Sequence, residues 1–279
     1  MSSDRLAPAL RDLLAAGEPA ILVVVARAAG STPREGGARM LVTGREILGT
    51  VGGGRLEWEA VARARAMLDS GEAEAGLELP LGPAVGQCCG GHVTLALRRA
   101  DAGLLARLEA QEAEDTAALP PVLLFGAGHV GKALAAALAP LPLRVRWMDG
   151  RAEQFPDRPP EGVEVLVTER LVVEVEAAPA GAAFLVLTHS HALDFALCEA
   201  VLRRGDFAYL GLIGSATKRA RFERGFRELG LSSASIARLT CPIGGDTLRD
   251  KRPAVIAALT AAEVLLALGE RAAVGVATP

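Results

Sequence analysis

The chain has 279 residues, a length that suits about two domains and is ample for a sizeable core. Its formal net charge of −3 gives no footing for non-specific nucleic-acid binding, which needs a strongly basic surface, so no nucleic-acid partner is expected. A 51% hydrophobic but only 4% aromatic composition reads as a soluble protein packed from Ala, Val and Leu. Of the four cysteines, Cys88 and Cys89 are adjacent, a poor disulfide framework that suits free thiols in a reducing cytoplasm. The first 19 residues carry acids and no apolar run, so they are not expected to be a signal peptide. The longest apolar stretch, 254–268, is broken by Thr260 and Glu263 and is too short for a bilayer; it reads as a buried helix, and no membrane contact is expected.

In chain order, strands are expected at 20–26, 39–43 and 47–51 around glycine-rich turns. A helix over 55–69 carries Ala60, Val61, Ala64, Met67 and Leu68 on one stripe. Strands at 75–79 and 92–97 complete a small α+β domain. A polar-faced helix over 103–115 and the punctuation TAALPP mark a boundary, giving domains 1–118 and 119–279. Beyond it, strands at 122–125, 143–148, 163–167, 183–188 and 208–213 alternate with helices near 130–139, 194–204 and 215–229. That alternation predicts an α/β fold with a doubly wound parallel sheet, Rossmann-like, behind the smaller domain.

The most specific motif is VLLFGAGHVG, where an apolar strand meets Gly126, Gly128 and Gly131 in G-x-G-x-x-G spacing and His129 opens the following helix. Gly126 permits the tight turn, Gly128 lets backbone amides approach a pyrophosphate, and Gly131 lets the helix pack on the strand. The next strand ends at Asp149, where an acid would meet a ribose hydroxyl. Four further segments carry candidate chemistry. The loop 30–37, with Ser31 and Arg34, and the cluster Gly52, Gly53 and Gly54 at a helix start suit an anion. The loop Gln87, Cys88, Cys89, Gly90, Gly91 offers thiols with little shielding, able to ligate a soft metal or carry sulfur. THSHALD follows a buried strand, and His189, His191 and Asp194 are ligand contacts or, less readily, a metal set, with Asp194 as a candidate helix cap. In GSATKR, Ser215 caps a helix whose first turns hold Lys218 and Arg219; cations there oppose the dipole unless an anion sits with them. CPIGG reads as a turn, with Cys241 a further thiol.

Taken in order, GSTPREGGARM, GTVGGGRLEWEA, QCCGG, GAGHVGKALA, THSHALD, GLIGSATKRARF and CPIGG resemble the XdhC/CoxF family of xanthine dehydrogenase accessory proteins, from about Ile21 to Leu268. The resemblance implies an N-terminal XdhC/CoxI-type domain and a Rossmann-like C-terminal one. It further implies a maturation chaperone, not an enzyme, that binds the molybdenum cofactor (molybdopterin), holds it for sulfuration and delivers it to xanthine dehydrogenase or a related molybdenum hydroxylase. A cysteine desulfurase is the other implied partner, and a homo-oligomer is expected. Together with the exposed loop, the resemblance makes Cys88 and Cys89 candidate molybdenum contacts. The Rossmann turn is left to the pterin phosphate, a dinucleotide form of the pterin, or NAD(P). An NAD(P)-dependent oxidoreductase, with His189 or His191 as acid/base, is the alternative.

Overall fold

The computed structural model describes residues 6–80, 91–245, 248 and 250–276, with the backbone alone over 270–276. The chain divides into two compact units, Met1–Asp115 and Thr116–Pro279. Gln87, Cys88 and Cys89 lie outside the described residues.

The first unit runs α1 (Ala7–Ala15), β1 (Ala20–Ala29), β2 (Arg39–Thr43), β3 (Ile47–Gly49), α2 (Gly54–Ser70), β4 (Glu74–Pro80), β5 (His92–Arg99) and α3 (Ala102–Ala118). Its sheet is antiparallel in the order β3-β2-β1-β5-β4. Strand periodicity divides the side chains between two faces. Ile21, Val23, Met40, Val42, Leu95 and Leu97 pack with Leu56, Ala60, Ala64 and Met67 of α2. Leu22 and Leu41 point the other way, against Leu10 of α1 and Leu104 and Leu108 of α3. α1, for which the sequence carries no cap signal, is closed from afar: Glu112 of α3 accepts the N–H groups of Leu6 and Ala7 at 2.7 and 3.1 Å.

The second unit runs β6 (Pro121–Phe125), α4 (His129–Leu138), β7 (Arg144–Asp149), β8 (Val163–Val167), α5 (Leu171–Ala177), β9 (Ala183–Val186), α6 (His191–Arg204), β10 (Tyr209–Leu212), α7 (Ala216–Glu228), α8 (Ser233–Ala237), β11 (Leu239–Thr240) and α9 (Pro253–Val276). All six strands are parallel, in the order β11-β10-β9-β6-β7-β8, so the winding reverses between β6 and β9. Both faces are covered, as a parallel sheet requires. Val122 and Leu124 pack with Leu134 and Leu138 of α4 and Ala257, Ala261 and Val264 of α9. Leu123, Phe125 and Phe184 pack with Leu197 and Val201 of α6 and Phe222 and Phe226 of α7. This is the expected doubly wound fold behind a smaller domain. The apolar stretch at 254–268 is part of α9; among the described residues no helix is long and apolar enough to cross a membrane.

Phe184 is wholly buried on β9. Phe184→Ala is expected to destabilise the second unit by about 3–5 kcal/mol through lost burial and the cavity left behind, read as a lower urea midpoint.

Candidate functional site

β6 and β9 end side by side at the point where the sheet reverses direction, which is where open α/β sheets bind ligands. The three glycines of the turn do different jobs. Gly126 has φ +116°, and a Cβ there would lie 2.3 Å from the carbonyl oxygen of Leu187. A Cβ on Gly131 would lie 2.0 Å from the carbonyl oxygen of Gly126. Both are therefore demanded by the protein itself. The same Gly126 carbonyl accepts the indole N–H of Trp147 at 2.9 Å, which ties the turn to β7. Gly128, at the N-cap of α4, differs: among the described residues, nothing beyond its own chain neighbours lies within 4 Å of where its Cβ would be. Its face is open for a ligand, and His129 beside it is exposed.

Asp149 ends β7 as expected, but its carboxylate is already engaged. It is 3% exposed. One oxygen accepts the backbone N–H and Nε of Arg151 at 3.0 and 2.9 Å. The other accepts the amide of Ala127 at 2.8 Å and Nη2 of Arg151 at 2.9 Å. Burial by itself would raise the carboxyl pKa, but the Arg151 guanidinium and the two backbone N–H groups outweigh it and hold the pKa below its ordinary 3.8. The expected ribose acceptor is thus an internal strut between β7 and the glycine turn. The sequence reading missed Arg151, whose place two residues beyond the strand-end acid was the available signal.

The expectation for Lys218 and Arg219 is also corrected. Lys218 Nζ lies 2.7 Å from Asp194 Oδ2 and 2.8 Å from the carbonyl of Ile213, and both members of the ion pair are almost wholly buried. The anion that makes a cation tolerable at this helix start is the protein's own carboxylate. Arg219 pairs with Glu223 at 2.8 Å and donates to the carbonyl of Cys241 at 3.1 Å. Asp194 is not the helix cap either: Ser190 accepts from the N–H of Leu193, while Asp194 Oδ1 accepts the amide and hydroxyl of Thr188 at 2.9 and 2.7 Å. Ser215 caps α7 by accepting from the N–H of Lys218. His189 and His191 are exposed at this edge, and among the described residues no three His, Cys, Asp or Glu side chains are grouped to hold a metal.

Cys198 and Cys241 are buried and not disulfide-bonded. Burial foremost, with Asp194 adding to it, pushes the Cys198 thiol well above its ordinary range, so it is a packing residue. The CPIGG turn is held by Glu263 of α9, whose Oε2 accepts the Tyr209 hydroxyl at 2.6 Å and the Gly244 amide at 3.1 Å.

In the first unit, the predicted glycine motifs meet. A Cβ on Gly52 would fall 2.6 Å from Cγ of Pro33, so the 30–37 loop lies on the 50–54 turn. A Cβ on Gly91 would fall 2.5 Å from the carbonyl oxygen of Ser31 and 2.7 Å from that of Ala29. Glu57 closes the turn by accepting the Thr50 hydroxyl and the amides of Val51 and Gly53, each amide at 3.3 Å. Ser31 and Gly54 are exposed, Arg34 is half-buried, and a Cβ on Gly53 would meet nothing within 4 Å among the described residues. Trp58, one turn into α2, is 67% exposed.

The class these features define is a Rossmann-type parallel α/β unit, with a vacant-faced glycine turn, joined to an antiparallel α+β unit built around convergent glycine loops. Two family models match: the XdhC Rossmann domain over residues 122–264, and the XdhC and CoxI family over residues 13–78. The chain belongs to the XdhC family. It is 27% identical over 256 residues to the protein YqeB of Escherichia coli (strain K12), a match that takes in 88% of this chain and 43% of YqeB. The chain therefore spans under half the length of that relative. Its fold is similar to that of a solved structure described as a xanthine dehydrogenase from Bacillus halodurans, with a TM-score of 0.73, 16% identity and 97% of each chain covered.

Two outcomes are expected from these sites. Gly131→Ala should destabilise the second unit by about 3 kcal/mol through overpacking, while Gly128→Val should change stability by under about 1 kcal/mol and yet block a ligand, as thermal unfolding and calorimetric titration of both variants would show. For Asp149, the folded pKa lies below the unfolded one, so the stability its ionised form contributes is fully present above about pH 4 and is lost as pH falls through the lower folded value. The difference in unfolding free energy between parent and Asp149→Asn should be flat from about pH 5 to 8 and shrink below about pH 4.

Proposed function

We propose that this protein is an accessory protein of a molybdenum enzyme that binds the molybdenum cofactor, holds it during exchange of an oxo for a sulfido ligand, and delivers it to xanthine dehydrogenase or a related molybdenum hydroxylase. Family membership supports the accessory role and the association with xanthine dehydrogenase-type enzymes. The single observation that carries the binding site is the convergence of the 30–37 loop, the 50–54 turn and Gly91 in the first unit. Glycines without Cβ atoms leave backbone within reach of a bulky phosphorylated ligand, and the exposed Ser31 and the guanidinium of Arg34 suit its phosphate. Gly53 and Gly54 open a helix, which adds a favourable dipole.

Cys88 and Cys89 would supply the soft ligands that shield or contact molybdenum. A cysteine desulfurase is the partner that such chemistry calls for, and a homo-oligomer remains the assembly proposed. The bound cofactor would bring a dithiolene-held metal whose oxo ligand is replaceable by sulfur. An oxidoreductase is the competing reading, and the open face of Gly128 is the observation in its favour.

The test mixes the apo protein with isolated molybdenum cofactor, then measures binding and the activity recovered by a cofactor-free dehydrogenase. Binding with transfer supports the proposal. Replacing both Cys88 and Cys89 by Ser should leave thermal unfolding unchanged and cut the activity recovered per molybdenum transferred by about tenfold or more, since a hydroxyl ionises far less readily than a thiol of pKa about 8.5. Full recovery would remove the thiols from the mechanism. Nicotinamide-dependent hydride transfer without cofactor binding would favour the oxidoreductase.

A further inference from the structure

We propose that the glycine turn of the second unit selects an adenosine whose ribose carries a 2′-phosphate over one with a free 2′-hydroxyl, and that Arg151 makes the choice. In sheets with this turn, the adenosine ribose reaches the end of the second strand, here β7. A free 2′-hydroxyl is held there by a carboxylate acceptor. The carboxylate that ends β7 is Asp149, and it is saturated: four N–H donors, from Ala127, the Arg151 backbone and two positions of the Arg151 guanidinium, meet its two oxygens at 2.8–3.0 Å. A carboxylate has about four lone-pair sites, so none remains for a ribose hydroxyl. Freeing one would mean uncoupling a bidentate ion pair and stranding a carboxylate that is 3% exposed.

The same geometry leaves Arg151 in the opposite condition. Of its five side-chain N–H groups, one on Nε and one on Nη2 are used by Asp149. The two on Nη1 and the second on Nη2 have no acceptor among the described residues, and the side chain is one-third exposed. A planar guanidinium with free donors, braced by a fixed carboxylate, matches a phosphate better than a neutral hydroxyl. Glu153, exposed in the 3₁₀ turn after β7 (Ala152–Gln154), acts electrostatically on Arg151, as Asp149 does, and its negative charge opposes an arriving phosphate. The inference stands apart from the molybdenum reading, because it rests on the second unit alone and names a different ligand.

The experiment titrates the full chain calorimetrically with 2′,5′-ADP, 3′,5′-ADP and 5′-AMP. The expected result is that 2′,5′-ADP binds at least about tenfold more tightly than either of the others. Arg151→Gln should bring 2′,5′-ADP to within about twofold of 5′-AMP, and Glu153→Gln should tighten 2′,5′-ADP binding severalfold without affecting 5′-AMP. Equal binding of 5′-AMP and 2′,5′-ADP by the parent protein would overturn the proposal, as would equal binding of the two phosphate isomers, or no binding of any of the three at millimolar concentration. The comparison among ligands on the parent chain decides the matter even if Arg151→Gln fails to fold. Failure here leaves cofactor binding and transfer by the first unit untouched, so the two readings fall separately.

Discussion

A carboxylate set among backbone amides has to be supplied with donors, and meeting that requirement shapes four turns and helix starts among the described residues. Asp149 takes the amide of Ala127 and the whole fork of Arg151, which pins the glycine turn to the strand beside it. Asp194 takes the amide and hydroxyl of Thr188 and the ammonium of Lys218, which fastens the loop after β9 to the start of α7. Glu57 does the same for Val51 and Gly53, and Glu112 for the start of α1. Amides that would otherwise need an outside anion are held by internal ones, so the loops keep their shape with no ligand bound.

This economy also explains which parts of the site were legible in the sequence. Strand periodicity and glycine punctuation located the sheet strands closely: β2 spans 39–43 as expected, and the turn at Gly126 sits where the motif places it. Apolar spacing and backbone freedom are properties a residue carries with it. Hydrogen-bond partnership is not. Nothing in the order of residues says that Lys218 reaches back to Asp194, because that contact depends on a loop and a helix meeting across the edge of the sheet. α1 was missed because its cap is supplied from over 100 residues away. The seven-residue α5 and five-residue α8 are too short to show a periodic stripe, and they form by packing on the helical layer of the sheet.

The glycines make the same distinction at finer grain. Gly126, Gly131, Gly52 and Gly91 are each demanded by a neighbour of the protein's own, a carbonyl oxygen or the ring of Pro33. Gly128 and Gly53 face no such neighbour. A motif written as a string of glycines therefore contains two kinds of position: those that let the chain approach itself, and those that let something else approach the chain. The first kind lets the loops of a site converge and the second leaves backbone open to a ligand; among the motif glycines Gly37, Gly53 and Gly128 are of the second kind.

The two tryptophans of the chain divide between the units in a way that has an optical consequence. Trp147 is wholly buried with its indole N–H bound to the carbonyl of Gly126, whereas Trp58 stands in water on the first turns of α2 beside the glycine loops. An indole in an apolar, hydrogen-bonded pocket and one in solvent emit at different wavelengths and respond differently to water-soluble quenchers. Each unit therefore carries a single tryptophan next to its own glycine turn, and the blue and red components of the tryptophan emission separate events at one turn from events at the other.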